Sequence, residues 1–254
     1  MKQGSAQVRH PKKRVGQKRG SRKRLYGGAF AAAAIAVAAL VIASQLSARG
    51  DRRAAPEQPV VIGAADNARL FAAIPQRGNV LGSPRAPVTL VEYADLQCPY
   101  CGEFARNALP ALVDEYVRTG RVKLVFRGLA FVGADSETAL RVVLAAGEQS
   151  RLWNVAHLVY ANQGVENTGW VTDGFLRAIA RAVPPLDANR LLARAQSARV
   201  TAQIDSLRLA AAADAIRATP SFRVGRTGGR LDPLAVHSLD VRAFQPVLDA
   251  LLGA

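Results

Sequence analysis

The sequence predicts an α/β domain that contains an inserted all-helical subdomain and follows a single N-terminal transmembrane helix. Two β-branched, aliphatic runs flank a segment of helical periodicity, the pattern of a strand–helix–strand unit. A helical stretch, about 136–218, separates that unit from two further short strands. The chain therefore divides into a basic tail (1–24), a transmembrane signal-anchor (25–48), a flexible linker (49–78) and the α/β domain (79–254).

Length, cysteine content and the location of charge limit the possible functions. The 254 residues suffice for one domain plus appendages, and 50% are hydrophobic, which excludes wholesale disorder. Two cysteines exclude a multi-disulfide scaffold and a four-thiolate zinc site. The net charge of +15 is uneven, because residues 1–24 hold ten basic residues and no acidic one, whereas 21 basic residues face 18 acidic ones from Ala54 onward. The charge belongs to the tail, and no nucleic-acid partner is expected.

The uncharged run from Leu25 to Ala48 predicts the membrane anchor. A helix of about 20 apolar residues spans the ~30 Å hydrocarbon core of a bilayer. The preceding basic tail keeps the N-terminus in the cytoplasm by the positive-inside rule, so the domain lies outside. A cleaved signal peptide, with small residues at Val41 and Ala43, would instead give a secreted protein. A buried core helix and a tail that binds nucleic acid are the remaining alternatives.

The first strand–helix–strand unit is expected to pair its strands in parallel. Pro87–Tyr93 is a β-branched and aliphatic run bounded by proline. Residues 102–119 have apolar side chains at helical spacing, with a kink at Pro110, and Arg121–Arg127 forms the second strand. A helix between two strands favours a right-handed parallel crossover.

The rest of the domain reads as a bundle of helices followed by a hairpin. Thr172 or Asp173 is a candidate N-cap, and Pro184-Pro185 interrupts the helical pattern. Helices are expected near 136–147, 151–162, 172–182, 186–195 and 201–213. Two hairpin strands are expected near 221–224 and 230–234, and a final helix near 240–252. The linker contains at most a short helix around Asn67–Ala73.

The candidate chemistry lies at Cys98-Pro99-Tyr100-Cys101, where the first strand ends and a helix begins. Free N–H groups and the helix dipole at this position stabilise a thiolate on the first cysteine. Pro99 suits the first helical turn, and Cys101 is one turn away. Such a dithiol exchanges disulfides without a cofactor. A zinc site would need two ligands besides the cysteines, and the only histidines of the domain, His157 and His237, lie 80 residues apart in the sequence, so no metal is expected. An inert structural disulfide is the other alternative.

Two motifs resemble those of a known family. Residues 88–101, which end in the Cys98–Cys101 motif, resemble the active-site strand and helix start of the DsbA-like thioredoxin-fold thiol–disulfide oxidoreductases. Residues 218–222 resemble their cis-proline loop, and the helical stretch between the motifs matches their inserted helical subdomain. The resemblance covers about 79–253 and is closest to the membrane-anchored bacterial branch. It implies the thioredoxin fold.

The resemblance also implies roles for individual residues. Cys98 is expected to be the exposed nucleophile that forms the mixed disulfide, and Cys101 the buried resolving thiol. Pro220 is expected to be the cis-proline that faces the dithiol. The Thr219 backbone is expected to pair with an extended substrate peptide. Substrate contacts are accordingly expected at Pro99, Tyr100 and Thr219.

Glu92 lies six residues before Cys98, where this family often keeps a buried acid. Alternation places it on the same strand face as Leu90 and Ala94. Burial would raise its pKa and let it relay a proton to or from Cys101. The alternatives are a surface carboxylate paired with an arginine, or a pair with Lys123 on the second strand.

Trp153, His157 and Tyr160 recur at helical spacing in the inserted segment. Aromatic stripes of this kind are typical of a core or a groove wall. A direct catalytic role for His157 is not expected.

The sequence thus predicts an extracytoplasmic thiol–disulfide oxidoreductase that introduces disulfides into exported proteins. Its expected partners are cysteine-containing exported proteins, the membrane, and a membrane redox partner (a quinone-linked oxidase or an electron donor). The linker, 49–78, is too short to be the extra N-terminal dimerisation domain usual in isomerases, so a monomer is expected. A disulfide reductase or isomerase, or a non-catalytic thioredoxin-fold binding module, are the alternatives.

Overall fold

The computed structural model describes residues 35–44 and 59–253, which fall into two separate compact units, Met1–Glu57 and Gln58–Ala254. In the first unit, residues 35–44 are helical, and their larger apolar side chains are exposed. Across the two described stretches, no helix has both the length and the apolar character needed to cross a bilayer. The predicted tail, 1–24, and the ends of the predicted anchor, 25–34 and 45–48, lie outside the described residues.

The second unit contains six strands and eight α-helices among its described residues. The strands are β1 (Gln76–Arg77), β2 (Val80–Leu81), β3 (Val88–Asp95), β4 (Val122–Leu129), β5 (Ser221–Arg226) and β6 (Asp232–Leu234). The helices are α1 (Ala64–Leu70), α2 (Pro99–Leu112), α3 (Ala134–Gly147), α4 (Leu152–Ala161), α5 (Asp173–Arg181), α6 (Ala188–Ala195), α7 (Ala198–Ala213) and α8 (Gln245–Gly253). A π-helical turn (Val113–Val117) follows α2, and a 3₁₀ turn (Val241–Ala243) precedes α8.

The strands form one mixed sheet in the order β1-β2-β4-β3-β5-β6. β3 and β4 are parallel, with Glu92 opposite Phe126, and α2 connects them, which confirms the predicted parallel pairing. β5 pairs antiparallel with β3 on its other side and continues into the β5–β6 hairpin. All eight residues of β3 are buried, as expected of a central strand covered on both faces.

The two faces of β3 carry different side chains and are covered by different helices. Glu92 and Ala94 share one face with Phe222 of β5, and Phe104 of α2 packs on that ring at a centroid distance of 4.9 Å. The opposite face carries Tyr93, which packs in a small apolar cluster with Ala211 of α7. The helix that begins at the dithiol therefore covers the Glu92 face of the sheet.

The helical stretch between β4 and β5 confirms the predicted insertion, with helices from Ala134 to Ala213. Thr172 is the N-cap of α5, because its hydroxyl oxygen accepts a hydrogen bond from the Phe175 amide at 3.1 Å. Asp187 and Ser197 cap the next two helices in the same way. Side-chain capping therefore accounts for the starts of α5, α6 and α7.

The packed domain begins earlier than predicted. Part of the expected flexible linker, 49–78, forms α1 and β1, and its side chains Phe71 and Ile74 are buried in the main core. β1 and β2 form a hairpin across Gly78, whose φ of 58° is readily available to glycine. Two-residue strands produce no periodic signal, which is why the sequence pattern missed them.

Candidate active site

The dithiol occupies the junction of β3 and α2, as the sequence predicts. Cys98 is the N-cap residue of α2, with extended φ and ψ of −65° and 121°, and Pro99 is the first helical residue. The Cys98 carbonyl accepts the first helical hydrogen bond, from the Gly102 amide at 3.1 Å. The amide groups of the first helical turn are therefore free to interact with a thiolate on Cys98.

Both cysteines are free thiols, and the Cys98 thiol faces the β5 loop. In the thiol form, its Sγ donates a hydrogen bond to the Thr219 carbonyl oxygen at 3.2 Å. The Thr219–Pro220 peptide bond is cis, as expected. Cys98 is nevertheless only 6% exposed, so the expectation of an exposed nucleophile is wrong for the dithiol form, while Cys101 is fully buried as expected. The Thr219 carbonyl group therefore lies against the Cys98 sulfur.

The two thiols have different pKa values because their surroundings differ. The pKa of Cys98 is lowered from 9.0 to about 6, chiefly because the Cys101 thiol donates a hydrogen bond to the thiolate. Burial opposes this effect, and the Thr219 side chain and two backbone amides of the first helical turn reinforce it. The pKa of Cys101 is raised well above its usual value, first by burial and then by its hydrogen bond to Cys98. Only Cys98 is therefore a thiolate at neutral pH.

Glu92 lies in the core on the same face of β3 as the dithiol helix. It is 4% exposed, and its Oε1 atom has no hydrogen-bond partner among the residues that the structure describes. Burial, followed by the charge of Cys98, raises the pKa of Glu92 from 4.5 to about 8. The predicted burial and direction of the pKa shift are confirmed, and at neutral pH this carboxyl group holds a proton.

The suggested pair between Lys123 and Glu92 is wrong. Lys123 lies opposite Thr89 in the parallel register, three residues from Phe126, the residue opposite Glu92. Because side chains alternate along a strand, Lys123 points to the other face of the sheet. Its Nζ donates instead to the Pro84 carbonyl oxygen at 3.2 Å.

Asp95, at the end of β3, organises the loops beside the dithiol, and no role for it follows from the sequence pattern alone. It is completely buried. Its Oδ1 accepts from the Gln97 amide at 2.8 Å and from the Ser136 hydroxyl at 2.6 Å. Its Oδ2 accepts from the Phe131 and Val132 amides at 2.6 and 2.9 Å. The carboxylate thus joins the active-site loop to the β4–α3 loop. The sequence feature that could have indicated this role is a polar residue at the end of a buried strand.

Gln97 extends this network into the inserted helices. Its side chain is buried and exchanges hydrogen bonds with Asn167, accepting from the amide at 2.8 Å and donating to Oδ1 at 3.4 Å. It also donates to the Ser136 hydroxyl at 3.0 Å. The residue before the dithiol is therefore tied to two segments of the insertion.

The aromatic stripe of the insertion is a core feature, as expected. Trp153 packs against Phe126, and Tyr160 is buried with its hydroxyl donating to the Asp95 carbonyl oxygen at 3.3 Å. His157 contacts α1, with its Nδ1 3.1 Å from the Asn67 side-chain nitrogen. Burial lowers the pKa of His157 to about 4, so it is neutral at physiological pH.

Comparison with known proteins agrees with this geometry. A protein-family model described as thioredoxin matches residues 76–232, which is more than half of the chain. The chain belongs to the thioredoxin family. A curated family relative, "Probable disulfide bond formation protein D" of Bacillus cereus, is 32% identical over 113 residues, or 43% of this chain and 52% of the relative. The match thus spans about half the length of that relative.

Solved structures show the same thioredoxin fold with helical content. Oxidised BdbD from Bacillus subtilis superimposes with a TM-score of 0.61 and 22% identity, covering 71% of this chain and 98% of that one. DsbA2 from Pseudomonas aeruginosa has a TM-score of 0.55 and 27% identity, with coverage of 70% and 95%. The expected resemblance to the DsbA-like proteins of the thioredoxin family is therefore confirmed.

Proposed function

We propose that this chain introduces disulfide bonds into exported proteins through the Cys98–Cys101 pair. The observation that carries the proposal is the difference between the two thiols: the pKa of Cys98 is lowered to about 6, and that of buried Cys101 is raised. A stabilised thiolate favours the reduced form of the enzyme. The disulfide form is therefore a strong acceptor of two electrons, which is the property of an oxidase.

The proposed reaction begins with the disulfide form. A substrate thiolate attacks Cys98 Sγ, the S–S bond breaks, and Cys101 leaves as a thiolate that takes up a proton. Protonated Glu92, on the same face of the sheet, is the proposed donor of that proton. A second substrate thiolate then attacks the substrate sulfur of the mixed disulfide. Cys98 leaves as its stabilised thiolate, the substrate is oxidised, and the enzyme is left as the dithiol.

The rim of the site offers a surface for an unfolded substrate. The Thr219 loop faces the Cys98 sulfur, and Tyr100 is 64% exposed directly beside it. Phe131 is 51% exposed, and its amide is bound by Asp95 of the active-site strand. Exposed aromatic side chains around a reactive thiol bind apolar segments that a folded substrate would bury. We propose that Pro99, Tyr100 and Thr219 contact the substrate, with Phe131 at the edge of the same surface.

The equilibrium constant between the dithiol and glutathione tests the direction of the reaction. We expect the Cys98–Cys101 pair of the full chain in detergent to be strongly oxidising. Its reduction potential should lie near the value of DsbA, about −120 mV, rather than that of thioredoxin, about −270 mV. Fluorescence or thiol trapping in glutathione redox buffers provides the measurement. A thioredoxin-like value would contradict the oxidase proposal and favour a reductase, and an intermediate value near −180 mV would favour an isomerase.

We propose that residues 25–48 anchor the protein in the cytoplasmic membrane, with the N-terminus inside and the catalytic domain outside. The support is the uncharged sequence, the preceding ten basic residues of the tail and the helical residues 35–44 with exposed apolar side chains. A membrane partner then reoxidises the dithiol by removing two electrons. We expect the full-length chain to stay in the membrane pellet after alkaline carbonate extraction, with its domain protease-accessible from outside. Release of a shortened chain would show cleavage and secretion instead.

A further inference from the structure

The amide side chain of Gln163 bridges two carbonyl groups of the active-site loop. Gln163 follows α4, in the inserted helical subdomain, 65 residues beyond Cys98. Its Nε2 donates to the Leu96 carbonyl oxygen at 3.0 Å and to the Cys98 carbonyl oxygen at 3.1 Å. Both N–H groups of one side-chain amide can thus be used on the turn that presents the Cys98 sulfur.

The first turn of α2 has a glycine where Gln163 approaches it. A Cβ atom at Gly102 would lie 2.5 Å from Gln163 Oε1 and 2.8 Å from Arg106 Nη1. Both atoms are the ends of flexible side chains, so an added Cβ atom would displace them from these positions rather than distort the backbone. The Arg106 guanidinium is itself held at the end of α4, where it donates to the Tyr160 carbonyl oxygen at 3.0 Å. Gly102 therefore permits the close contact between the dithiol helix and the insertion.

Carbonyl oxygens on this turn oppose a thiolate, and the Cys98 oxygen, which already accepts from the Gly102 amide, receives a second hydrogen bond from Gln163. Leu96 lies two residues before the nucleophile and Cys98 is the nucleophile, and the carbonyl oxygen of each carries partial negative charge. Hydrogen bonds from Gln163 draw that charge away and hold Cys98 at its N-cap geometry. In that geometry the amides of the first helical turn remain directed at the sulfur.

We propose that Gln163 is a positioning residue of the redox site: the insertion uses its side-chain amide to hold the active-site turn and thereby shifts the dithiol–disulfide equilibrium toward the dithiol. This inference rests on the proposed function and adds a role for the inserted subdomain within the site itself. It also gives Gly102 a function, which is to leave room for the amide.

The test compares Gln163→Leu and Gln163→Met with Asn162→Ala in the full chain. The first two variants retain bulk but remove the donors, and Met also preserves the unbranched shape. Asn162→Ala removes a neighbouring amide that instead bonds the Ile62 and Leu158 carbonyl oxygens. We expect both Gln163 variants to move the equilibrium with glutathione about fivefold toward the disulfide, since a hydrogen bond contributes about a factor of 2–12. The thiolate absorbance of Cys98 should titrate at correspondingly higher pH, and Asn162→Ala should leave both quantities unchanged.

A double-mutant cycle with Gly102→Ala checks that the effect passes through this contact. The added methyl group should shift the equilibrium in the same direction in the wild-type background and have little further effect when Gln163 is already replaced. Folded Gln163 variants that equilibrate within twofold of wild type, or additive effects in the cycle, would overturn the inference. A wild-type chain without a reversible disulfide would instead refute the proposed function, so the two failures are distinct.

Discussion

Replacing Cys98 with serine is expected to abolish disulfide transfer to a reduced two-cysteine peptide. A serine hydroxyl neither ionises near neutral pH nor forms the mixed disulfide on which the reaction depends. The loss should be complete, down to the rate of peptide with redox buffer alone. The wild-type rate, measured by peptide fluorescence with pre-oxidised full-length protein, is the reference, and transfer that persisted in Cys98→Ser would contradict the assignment of the nucleophile.

Cys101→Ser is the matched control for this experiment, because it removes the other sulfur from the same turn. Cys98 then keeps its position at the N-cap of α2 but has no neighbouring thiol to resolve a bound substrate. We expect Cys101→Ser to accumulate a mixed disulfide with the peptide, visible by non-reducing electrophoresis, and Cys98→Ser to form none. If Cys98→Ser retained the biological activity of the chain together with partner binding, a non-catalytic binding module would replace the enzymatic proposal.

Replacing Glu92 with glutamine is expected to remove a large pH dependence of stability. The pKa of Glu92 is about 8 in the folded protein and 4.5 as an unperturbed group, mainly because burial disfavours the carboxylate. Between these two values, the unfolded chain loses a proton that the folded chain keeps. The free energy of unfolding of the wild type therefore falls as pH rises from 4.5 to 8, relative to Glu92→Gln. The difference accumulates to on the order of 4 kcal/mol at pH 8.

Urea unfolding of both reduced proteins at pH values from 5 to 8 would measure this difference. Cys98 contributes in the opposite sense, since its pKa is lowered to about 6 and its stabilisation grows above that pH, but this contribution is common to both proteins. Glu166→Gln supplies a control with an exposed carboxylate. It should follow the wild-type pH profile. Parallel curves for wild type and Glu92→Gln would contradict the buried, protonated state of Glu92.

If Glu92 also relays a proton to Cys101, the Glu92→Gln variant should slow peptide oxidation.

Local sequence patterns were sufficient to predict which strand and helix hold the dithiol. The run of apolar residues before Cys98 indicates a buried strand, and Pro99 indicates the helix start, so the dithiol had to lie at a helix N-terminus. Strand alternation placed Glu92 on the same face as Leu90 and Ala94. The resemblance at Thr219-Pro220 indicated the cis bond. The strand and helix predictions use only residues that are close together in the chain, where periodicity and helix capping act, whereas the cis bond was implied by the family resemblance.

Tertiary structure alone decided which distant side chains meet. Lys123 lies three residues before Phe126, the residue of β4 opposite Glu92. Because side chains alternate along a strand, this register places Lys123 on the other face of the sheet. Asp95 is an ordinary acidic residue in the sequence, and only the folded loops bring four donors to it. Gln163 reaches Cys98 across 65 residues because α4 packs against α2 where Gly102 leaves space. Secondary structure follows local steric and hydrogen-bonding preferences, whereas these contacts depend on how whole elements pack.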